Sequence, residues 1–307
     1  MVDPGYQVAC LTPVLPTAQS DGMRVAHAHI DQLQSGAENR LARLRSLGRP
    51  LVMGILNVTP DSFSDGGRFL DPAKAIEQAR RMIDEGVDIL DIGAESTRPY
   101  GGAVPVPATE EISRLAPVLP AAAALGVPVS IDTMKAQVAA WALASGASIL
   151  NDVWGLQRDR ELARLAAANS VPVVIMHNRE EADASLDIMT DVAAFFSRSL
   201  EIAAAEGIAR QNIVLDPGIG FGKTAEQSVA AIARLQELKS FGLPLLVGAS
   251  RKRFIARVSP APPDTRLGGS IAAALLAVEN GATIVRVHDV AETVQALRVA
   301  AAIRNAL

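Results

Sequence analysis

The stretch LVMGILNVTPDSFSDGG, residues 51–67, joins an apolar segment to a polar one. Residues 51–56 are apolar, Asn57 ends the run, and the next ten residues are rich in Thr, Ser, Asp and Gly. A short apolar run bounded by turn residues predicts a buried strand. The polar residues that follow predict a loop at the end of that strand, long enough to fold over a ligand, with Gly66 and Gly67 as its hinge.

Further apolar runs follow at nearly regular intervals along the chain. They are continuous rather than alternating, which is typical of strands buried on both faces of a parallel sheet. They cover residues 87–93, 127–133, 147–153, 171–177, 212–218, 243–249 and 282–288. Helical patterns lie between the strands: one begins at Asp71-Pro72, and the others cover residues 108–125, 134–147, 158–169, 190–206, 225–241, 266–280 and 291–306. Pro117 and Pro120 are expected to kink or split the 108–125 segment.

Eight strands alternating with eight helices predict an α/β fold, and this number closes into a TIM (β/α)8 barrel. An open, doubly wound sheet is the alternative. The barrel is favoured because polar residues follow every strand, whereas an open sheet would concentrate them at one switch point. We expect the barrel to cover residues 48–307. Residues 1–47 are predicted to be a partly ordered N-terminal extension, to which we assign no chemistry.

Composition excludes several classes of protein. The 307 residues are 49% hydrophobic but only 4% aromatic, so the core is expected to be aliphatic. The net charge of −4 and the absence of a basic run argue against nucleic acid as a partner. A single cysteine, Cys10, fits a reducing compartment. With no secretory signal and no apolar run long enough to cross a membrane, we expect a soluble cytoplasmic protein.

The residues at the predicted strand ends, nearly all of them polar, are expected to face one cavity at the rim of a barrel. They are Asn57, Asp91, Glu95, Thr97, Arg98, Asp132, Asn151, Asp152, Met176, His177, Asp216, Ser250, Arg251, Lys252, Arg286, His288 and Asp289. Asp152 and Asp289 are open to interpretation as helix caps, and Asp91 as a satisfied carboxylate within a barrel layer.

Asp132 and Asp216 differ from these three because each follows an unbroken aliphatic run and should lie deep. A deep carboxylate is costly without a partner. Lys252 is a candidate partner for Asp216, and a purely structural ion pair remains an alternative. Together with Asn151, the two carboxylates match a flat heterocycle with several N–H donors, such as an aminopyrimidinone edge.

The last strand adds Arg286 and His288, two residues apart and therefore on one side. With Asn57 and the loop hydroxyls they predict an anion site. No second His or Cys has a suitable spacing for His288 to be a metal ligand. The segment DPGIGFGKT, residues 216–224, is not a P-loop, because Pro217 stands where the first glycine of that pattern is required. It predicts a rim turn whose glycines let the backbone approach a ligand and whose Phe221 can cover it.

Seven motifs together resemble those of dihydropteroate synthase, in that family's order and spacing over about residues 48–307. They are GILNVTPDSFSDGG (54–67), DIGAESTRP (91–99), VSIDT (129–133), ILND (149–152), LDPGIGFGKT (215–224), GASRK (248–252) and IVRVHDV (284–290). The resemblance implies a TIM barrel, usually a homodimer and a sulfonamide target. Such an enzyme joins 6-hydroxymethyl-7,8-dihydropterin diphosphate to 4-aminobenzoate in folate synthesis, releasing pyrophosphate and 7,8-dihydropteroate.

The resemblance also implies roles for matching residues. The implied pterin-binding residues are Asp132, Asn151, Met176, Asp216 and Lys252. The implied pyrophosphate-binding residues are Asn57, Arg98, Arg286 and His288, with Asn57 also at a Mg2+ ion. The implied 4-aminobenzoate pocket is formed by Ser62, Phe63, Thr97, Pro99, Phe221 and Lys252. The implied catalytic residues are Asp132, Asn57, Arg286, His288 and Lys252.

The chemistry implied is a dissociative, SN1-like displacement, because an aromatic amine is neutral at pH 7 and the difficult step is expulsion of pyrophosphate. The chain departs from the family pattern at MHNREEADASLDIMTD, residues 176–191, and at Arg253, where many relatives have Ser. Three other hypotheses are weighed: a methyltetrahydrofolate methyltransferase, a non-catalytic pterin-binding paralogue, and a sugar-phosphate barrel enzyme. The first would not need the anion residues, the second should have lost them, and the third does not explain two deep aspartates.

Overall fold

The protein is described here from a computed structural model, which covers residues 46–59, 71–95 and 106–306. The predicted extension, residues 1–47, lies outside the described residues except for its last two positions. The predicted hinge, Gly66 and Gly67, also lies outside them.

Eight parallel strands of the described chain form one sheet, in the order β6-β5-β4-β3-β2-β1-β8-β7. They are β1 (Leu51–Asn57), β2 (Ile89–Gly93), β3 (Val129–Asp132), β4 (Ile149–Asp152), β5 (Val173–Met176), β6 (Ile213–Asp216), β7 (Leu246–Val247) and β8 (Ile284–Val287). A parallel bridge between Leu215 and Leu245 joins β6 to the residue before β7 and closes the ring. The predicted TIM barrel is therefore confirmed, and the open sheet is excluded.

Helices connect the strands and pack on the outside of the ring. Within the described ranges they are α1 (Pro72–Asp84), α2 (Ala108–Leu115), α3 (Leu119–Ala123), α4 (Ala136–Ala144), α5 (Glu161–Ala168), α6 (Ile188–Ala205), α7 (Ala225–Ala233), α8 (Arg253–Val258), α9 (Leu267–Glu279) and α10 (Val290–Arg304). The Asp71 side chain accepts hydrogen bonds from the backbone N–H groups of Ala73 and Lys74, so the predicted cap of α1 is present. The 108–125 segment is split into α2 and α3, as its prolines predicted.

Two sequence predictions differ from the structure in the last third of the chain. The predicted helix 225–241 ends at Ala233, where Arg234 leaves the helical conformation and pairs with Asp187 and Glu237, and a 3-10 helix continues over Leu235–Phe241. The predicted strand 243–249 is paired at β7 over only two residues, and the short helix α8 that follows it was not predicted.

Aliphatic side chains fill both sides of the sheet. The larger core lies between the ring and the helices, and a second cluster plugs the interior of the ring. The plug consists of Leu51, Met53, Ile89, Ile149, Val174, Val214, Leu246 and Ile284, as expected for an inward-facing layer of a barrel. No described helix has the length and apolarity needed to cross a membrane.

Candidate active site

A polar layer lies directly above the aliphatic plug, because side chains two residues apart on a strand face the same side. Beyond Ile89, Ile149, Val214 and Ile284 of the plug come the inward positions Asp91, Asn151, Asp216 and Arg286. Strand register places Asp132 beside Asn151 and Met176 beside Asp216. The carboxyl ends of five different strands therefore bring three aspartates, an asparagine and an arginine to one floor.

Arg286 holds two of these carboxylates together. Its Nε donates to Asp91 Oδ2 at 2.6 Å, and its Nη2 donates to Asp132 Oδ2 at 2.7 Å. The amide Nδ2 of Asn151 lies 3.3 Å from both Asp91 oxygens. Asp91 is fully buried, and its two neighbours compensate for its desolvation. The interpretation of Asp91 as a satisfied carboxylate within a barrel layer is therefore correct. Its pairing with Arg286 was not predicted.

Asp132 is only partly satisfied by the same arginine. Its Oδ1 is buried and has no hydrogen-bond partner within the described part of the chain. Burial raises the pKa of Asp132 to about 7, although the charge of Arg286 opposes this shift. An acceptor oxygen in this state favours a ligand that brings an N–H donor.

Asp216 is equally deep, at 4% exposure. The backbone N–H of Gly218 donates to its Oδ1 at 2.7 Å. Burial raises the pKa of Asp216 to about 6, against the opposing effects of that hydrogen bond and of the Lys252 charge. The predicted depth of both aspartates is confirmed, and both line the same cavity.

All five predicted pterin-binding residues line this cavity. Its walls are Asp132, Asn151, Val153, Met176, Asp216, Ile219, Phe221, Gly248, Lys252 and Arg286. Its volume of about 20 Å³ has room for one water molecule. A bicyclic ring would therefore require the flexible side chain of Lys252 to move. Its ammonium lies 3.9 Å from the centroid of the Phe221 ring, which is a cation–π contact.

His288 lies beside this floor at the end of β8. Its Nδ1 is 3.0 Å from Ser250 Oγ. Burial, together with the positive charges of Arg286 and Arg251, lowers the pKa of His288 to about 3. The imidazole is therefore neutral near pH 7. In the anion site predicted from sequence, it can donate an N–H but brings no positive charge.

Other rim residues have structural partners. Asp289 occupies the N-cap position of α10, but its side chain accepts from Arg251 at 2.5 and 3.1 Å and makes no capping hydrogen bond to the helix. Asp152 accepts from the N–H groups of Trp154 and Leu156, which braces the loop after β4. Asn57 is half-buried at the end of β1, opposite Gly93.

His177 does not face the cavity, contrary to the sequence prediction. It follows Met176 on β5, so alternation sends the two side chains to opposite faces. The imidazole is fully buried and contacts Asp191 and Lys223. Alternation alone could have predicted this direction; the role of Lys223 was missed because the FGKT segment was treated only as a turn.

Five predicted site residues, Ser62, Phe63, Thr97, Arg98 and Pro99, lie outside the described residues. Over residues 46–59, 71–95 and 106–306, no group of three or more His, Cys, Asp or Glu side chains is arranged to hold a metal ion.

The comparison with known proteins agrees with this geometry. A family model described as "Pterin binding enzyme" matches residues 53–288, so the fold and its polar floor define a pterin-binding barrel enzyme. The chain is 45% identical over 282 residues to the dihydropteroate synthase of Bacillus subtilis, covering 92% of this chain and 98% of that protein. It belongs to the dihydropteroate synthase family.

Two crystal structures of the Xanthomonas albilineans dihydropteroate synthase also match. The structure with 4-aminobenzoic acid aligns with a TM-score of 0.79 at 43% identity, covering 83% of this chain and 93% of that one. The structure with 7,8-dihydropteroate aligns with a TM-score of 0.77 at 41% identity, covering 83% and 94%.

Proposed function

We propose that this chain condenses 6-hydroxymethyl-7,8-dihydropterin diphosphate with 4-aminobenzoate, giving 7,8-dihydropteroate and pyrophosphate. The observation that carries this proposal is the buried Oδ1 of Asp132, which has no hydrogen-bond partner among residues 46–59, 71–95 and 106–306 and lies on the same floor as Asp216 and Asn151. An acceptor-rich floor of this kind suits a flat ring with several N–H donors. The ligands bound to the Xanthomonas albilineans enzyme support the choice of substrates.

The floor residues would divide the work of holding the pterin. Asp216 accepts the ring N–H and the exocyclic NH2 in two parallel charge-assisted hydrogen bonds. Lys252 donates to the ring carbonyl, Asn151 and Asp132 satisfy the remaining ring atoms, and Met176 packs against the ring. Binding these donors favours the ionised carboxylates, which offsets the burial that raises the pKa of Asp132 and Asp216 in the empty site.

The displacement begins with loss of pyrophosphate. The C–O bond at the pterin methylene breaks, its electron pair leaves with the diphosphate oxygen, and the ring shares the positive charge left on carbon. Arg286 and the N–H of His288 stabilise the departing anion together with Arg98, and the Asp132 carboxylate favours the cation. The amine of 4-aminobenzoate then forms the C–N bond and releases its proton to solvent. We expect the loops after β1 and β2, which lie mostly outside the described residues, to exclude water from the cation until that step.

The donor set fits Mg2+ bound mainly by substrate. A magnesium ion usually keeps several waters and binds one or two protein oxygens together with phosphates. The half-buried amide of Asn57, at the rim of the floor, is the protein oxygen we assign to it. When bound, Mg2+ would neutralise part of the diphosphate charge.

The second substrate would enter above the pterin. Phe221 and Lys252 are already in contact over the floor, and Ser62, Phe63, Thr97 and Pro99 complete the pocket proposed for 4-aminobenzoate. A sulfonamide that mimics this substrate would compete for the same pocket. We expect the enzyme to act in the cytoplasm.

Exposed aliphatic side chains support a homodimer. They lie on the neighbouring helices α7 to α10 and comprise Val229, Val258, Leu276, Val299 and Ile303, with exposures of 42 to 74%. Aliphatic side chains grouped on one side of a protein are typical of an interface between subunits.

The direct test incubates the protein with pterin diphosphate, 4-aminobenzoate and Mg2+ and measures pyrophosphate release. We expect release that depends on 4-aminobenzoate, and its near-complete loss in Asp132→Ala. Arg164→Ala, in an exposed ion-pair cluster with Glu161 and Glu206, is the control and should retain full activity. Folded protein that binds the pterin diphosphate without releasing pyrophosphate would show that it is a binding protein instead.

A further inference from the structure

A second buried polar cluster lies on the outer face of β5 and β6, and the proposed reaction does not use it. Lys223 Nζ is 2.6 Å from His177 Nδ1, and His177 Nε2 is 3.0 Å from Asp191 Oδ2. Arg179 Nη1 donates to the same Asp191 oxygen at 3.0 Å. Lys223 is only 3% exposed and His177 is fully buried. Lysine and histidine side chains are rarely placed this deep without a specific partner.

The direction of each hydrogen bond follows from the chemistry of the groups. Burial lowers the pKa of Lys223 to about 7. In its ammonium form the lysine only donates, so His177 Nδ1 accepts and the ring proton resides on Nε2, which donates to Asp191. Burial, reinforced by the charge of Lys223, lowers the pKa of His177 to about 3 and keeps the ring neutral. Lys223, His177 and Asp191 therefore form one continuous chain of donors and acceptors.

Lys223, at one end of this series of hydrogen bonds, belongs to the glycine-rich turn that follows β6. Lys223 Nζ also donates to the carbonyl oxygen of Phe221 at 3.1 Å. Phe221 in turn carries Lys252 on its ring face. The ammonium thus connects a fixed imidazole on β5 to the backbone of a residue at the proposed 4-aminobenzoate pocket.

The same turn is packed directly against the segment after β5. A Cβ atom on Gly218, whose φ is +66°, would lie 2.0 Å from the carbonyl oxygen of His177. A Cβ on Gly222, whose φ is +51°, would lie 2.4 Å from Arg179 Cβ. The turn is therefore in backbone contact with residues 177–179, and only glycine permits this approach. Lys223 adds a side-chain link between the end of this turn and His177.

We propose that Lys223 and His177 are positioning residues for the second substrate, acting through the Phe221 carbonyl to hold the aromatic ring of Phe221 over the floor. This inference rests on the proposed function. Asp216 belongs to β6 and accepts from the Gly218 N–H, and the charge of Lys223 affects its pKa less than burial, that hydrogen bond and the charge of Lys252 do. Loss of the lysine should therefore affect binding of 4-aminobenzoate more than binding of the pterin diphosphate.

The test compares steady-state constants for both substrates in Lys223→Met, which keeps the length of the side chain and removes its N–H donors. We expect the KM for 4-aminobenzoate to rise about tenfold, the size of effect that a small misplacement of a substrate contact produces. The KM for the pterin diphosphate should change less than twofold. Lys223→Leu, which also lacks N–H donors, is the second variant and should show the same split if Lys223→Met does not fold.

His177 provides the rescue experiment. Asn has a side-chain oxygen close to the position of Nδ1, so His177→Asn keeps an acceptor for Lys223, whereas His177→Ala removes it. We expect His177→Ala to reproduce the KM increase for 4-aminobenzoate and His177→Asn to restore a value close to wild type.

Asn212→Ala is the matched control at the opposite end of β6. Asn212 is also buried and donates to the Ser170 carbonyl oxygen at 2.9 Å, far from the rim. Its loss should lower the unfolding temperature and leave both KM values unchanged. If the Lys223 and His177 variants behave as Asn212→Ala does, the cluster is only a brace of the fold and the inference is wrong. If wild-type protein itself releases no pyrophosphate, the proposed function fails instead.

Discussion

The aliphatic plug and the polar floor occupy the same strands, two residues apart, and both are removed from solvent. Ile149 and Asn151 on β4, or Val214 and Asp216 on β6, have nearly equal exposure of 2 and 4%, or 1 and 4%. Each plug side chain stabilises the fold by roughly 1.5–3 kcal/mol through burial. The same burial disfavours the ionised form of a floor carboxylate. The raised pKa values of Asp132 and Asp216 show this cost of desolvation.

This difference separates residues that form the barrel from residues that act in it. The plug needs only volume and apolarity, so similar side chains can replace its members. The floor needs particular partners at particular distances. Asp91 has them, through Arg286 and Asn151, while Asp132 Oδ1 has none in the part of the chain that the structure describes. A carboxylate that the folded protein leaves incompletely satisfied indicates a place prepared for a ligand.

The largest predicted effect comes from removing the cation that holds the floor. Arg286→Met leaves Asp91 and Asp132 buried without their shared partner, and breaking a buried ion pair in this way costs about 3–5 kcal/mol. We expect the free energy of unfolding in urea to fall by this amount and activity to be lost.

A second substitution distinguishes charge from packing in that result. Asp91→Asn combined with Arg286→Met removes one of the two stranded charges, so stability should recover by more than 1 kcal/mol while activity stays absent. Equal stability of the single and double variants would mean that Arg286 contributes shape rather than charge compensation to the floor.

Asp216→Asn should raise the stability of the folded protein and weaken its binding of pterin diphosphate. The pKa of Asp216 is raised by burial to about 6 from 3.8, so ionisation of this group destabilises the folded protein. Asn can still accept from the Gly218 N–H. We expect the variant to be more stable than wild type by roughly 1–3 kcal/mol at pH 8, yet to bind pterin diphosphate about 10–100 times more weakly.

The stability difference between Asp216→Asn and wild type should depend on pH. A raised carboxylate pKa contributes stability that is fully present below the unfolded value of 3.8 and is lost as pH rises through about 6. The advantage of Asp216→Asn should therefore be near zero at pH 3.5, grow between pH 4 and 6, and stay constant above. Unfolding measured across that range, with calorimetry of pterin binding at pH 8, checks both parts; a constant advantage at every pH would contradict the assignment.

The sequence predicted the floor better than it predicted the partners within it. The depth of Asp132 and Asp216 could be inferred because each ends an unbroken aliphatic run. The pairing of Arg286 with Asp91 could not be inferred, because residues 195 positions apart meet only after the ring closes in one register. His177 was misplaced because membership in a strand-end motif was given more weight than the alternation of side chains. The short extent of β7 depends on pairing with β8, which local sequence does not specify.

The smallest predicted effect tests the plug. Ile149→Val removes one buried methyl group directly below Asn151 and should lower the free energy of unfolding by about 0.5–1.5 kcal/mol. The KM values and kcat should stay within twofold of wild type, because neighbouring aliphatic side chains can take up a methyl-sized volume without moving the floor. Asn151→Ala, two residues further along β4, is the matched comparison: it removes the amide that contacts both Asp91 oxygens and should raise the KM for the pterin diphosphate severalfold. If Ile149→Val alone changed that KM as much, the two layers would be mechanically coupled, and packing below the floor would have to be counted as part of the site.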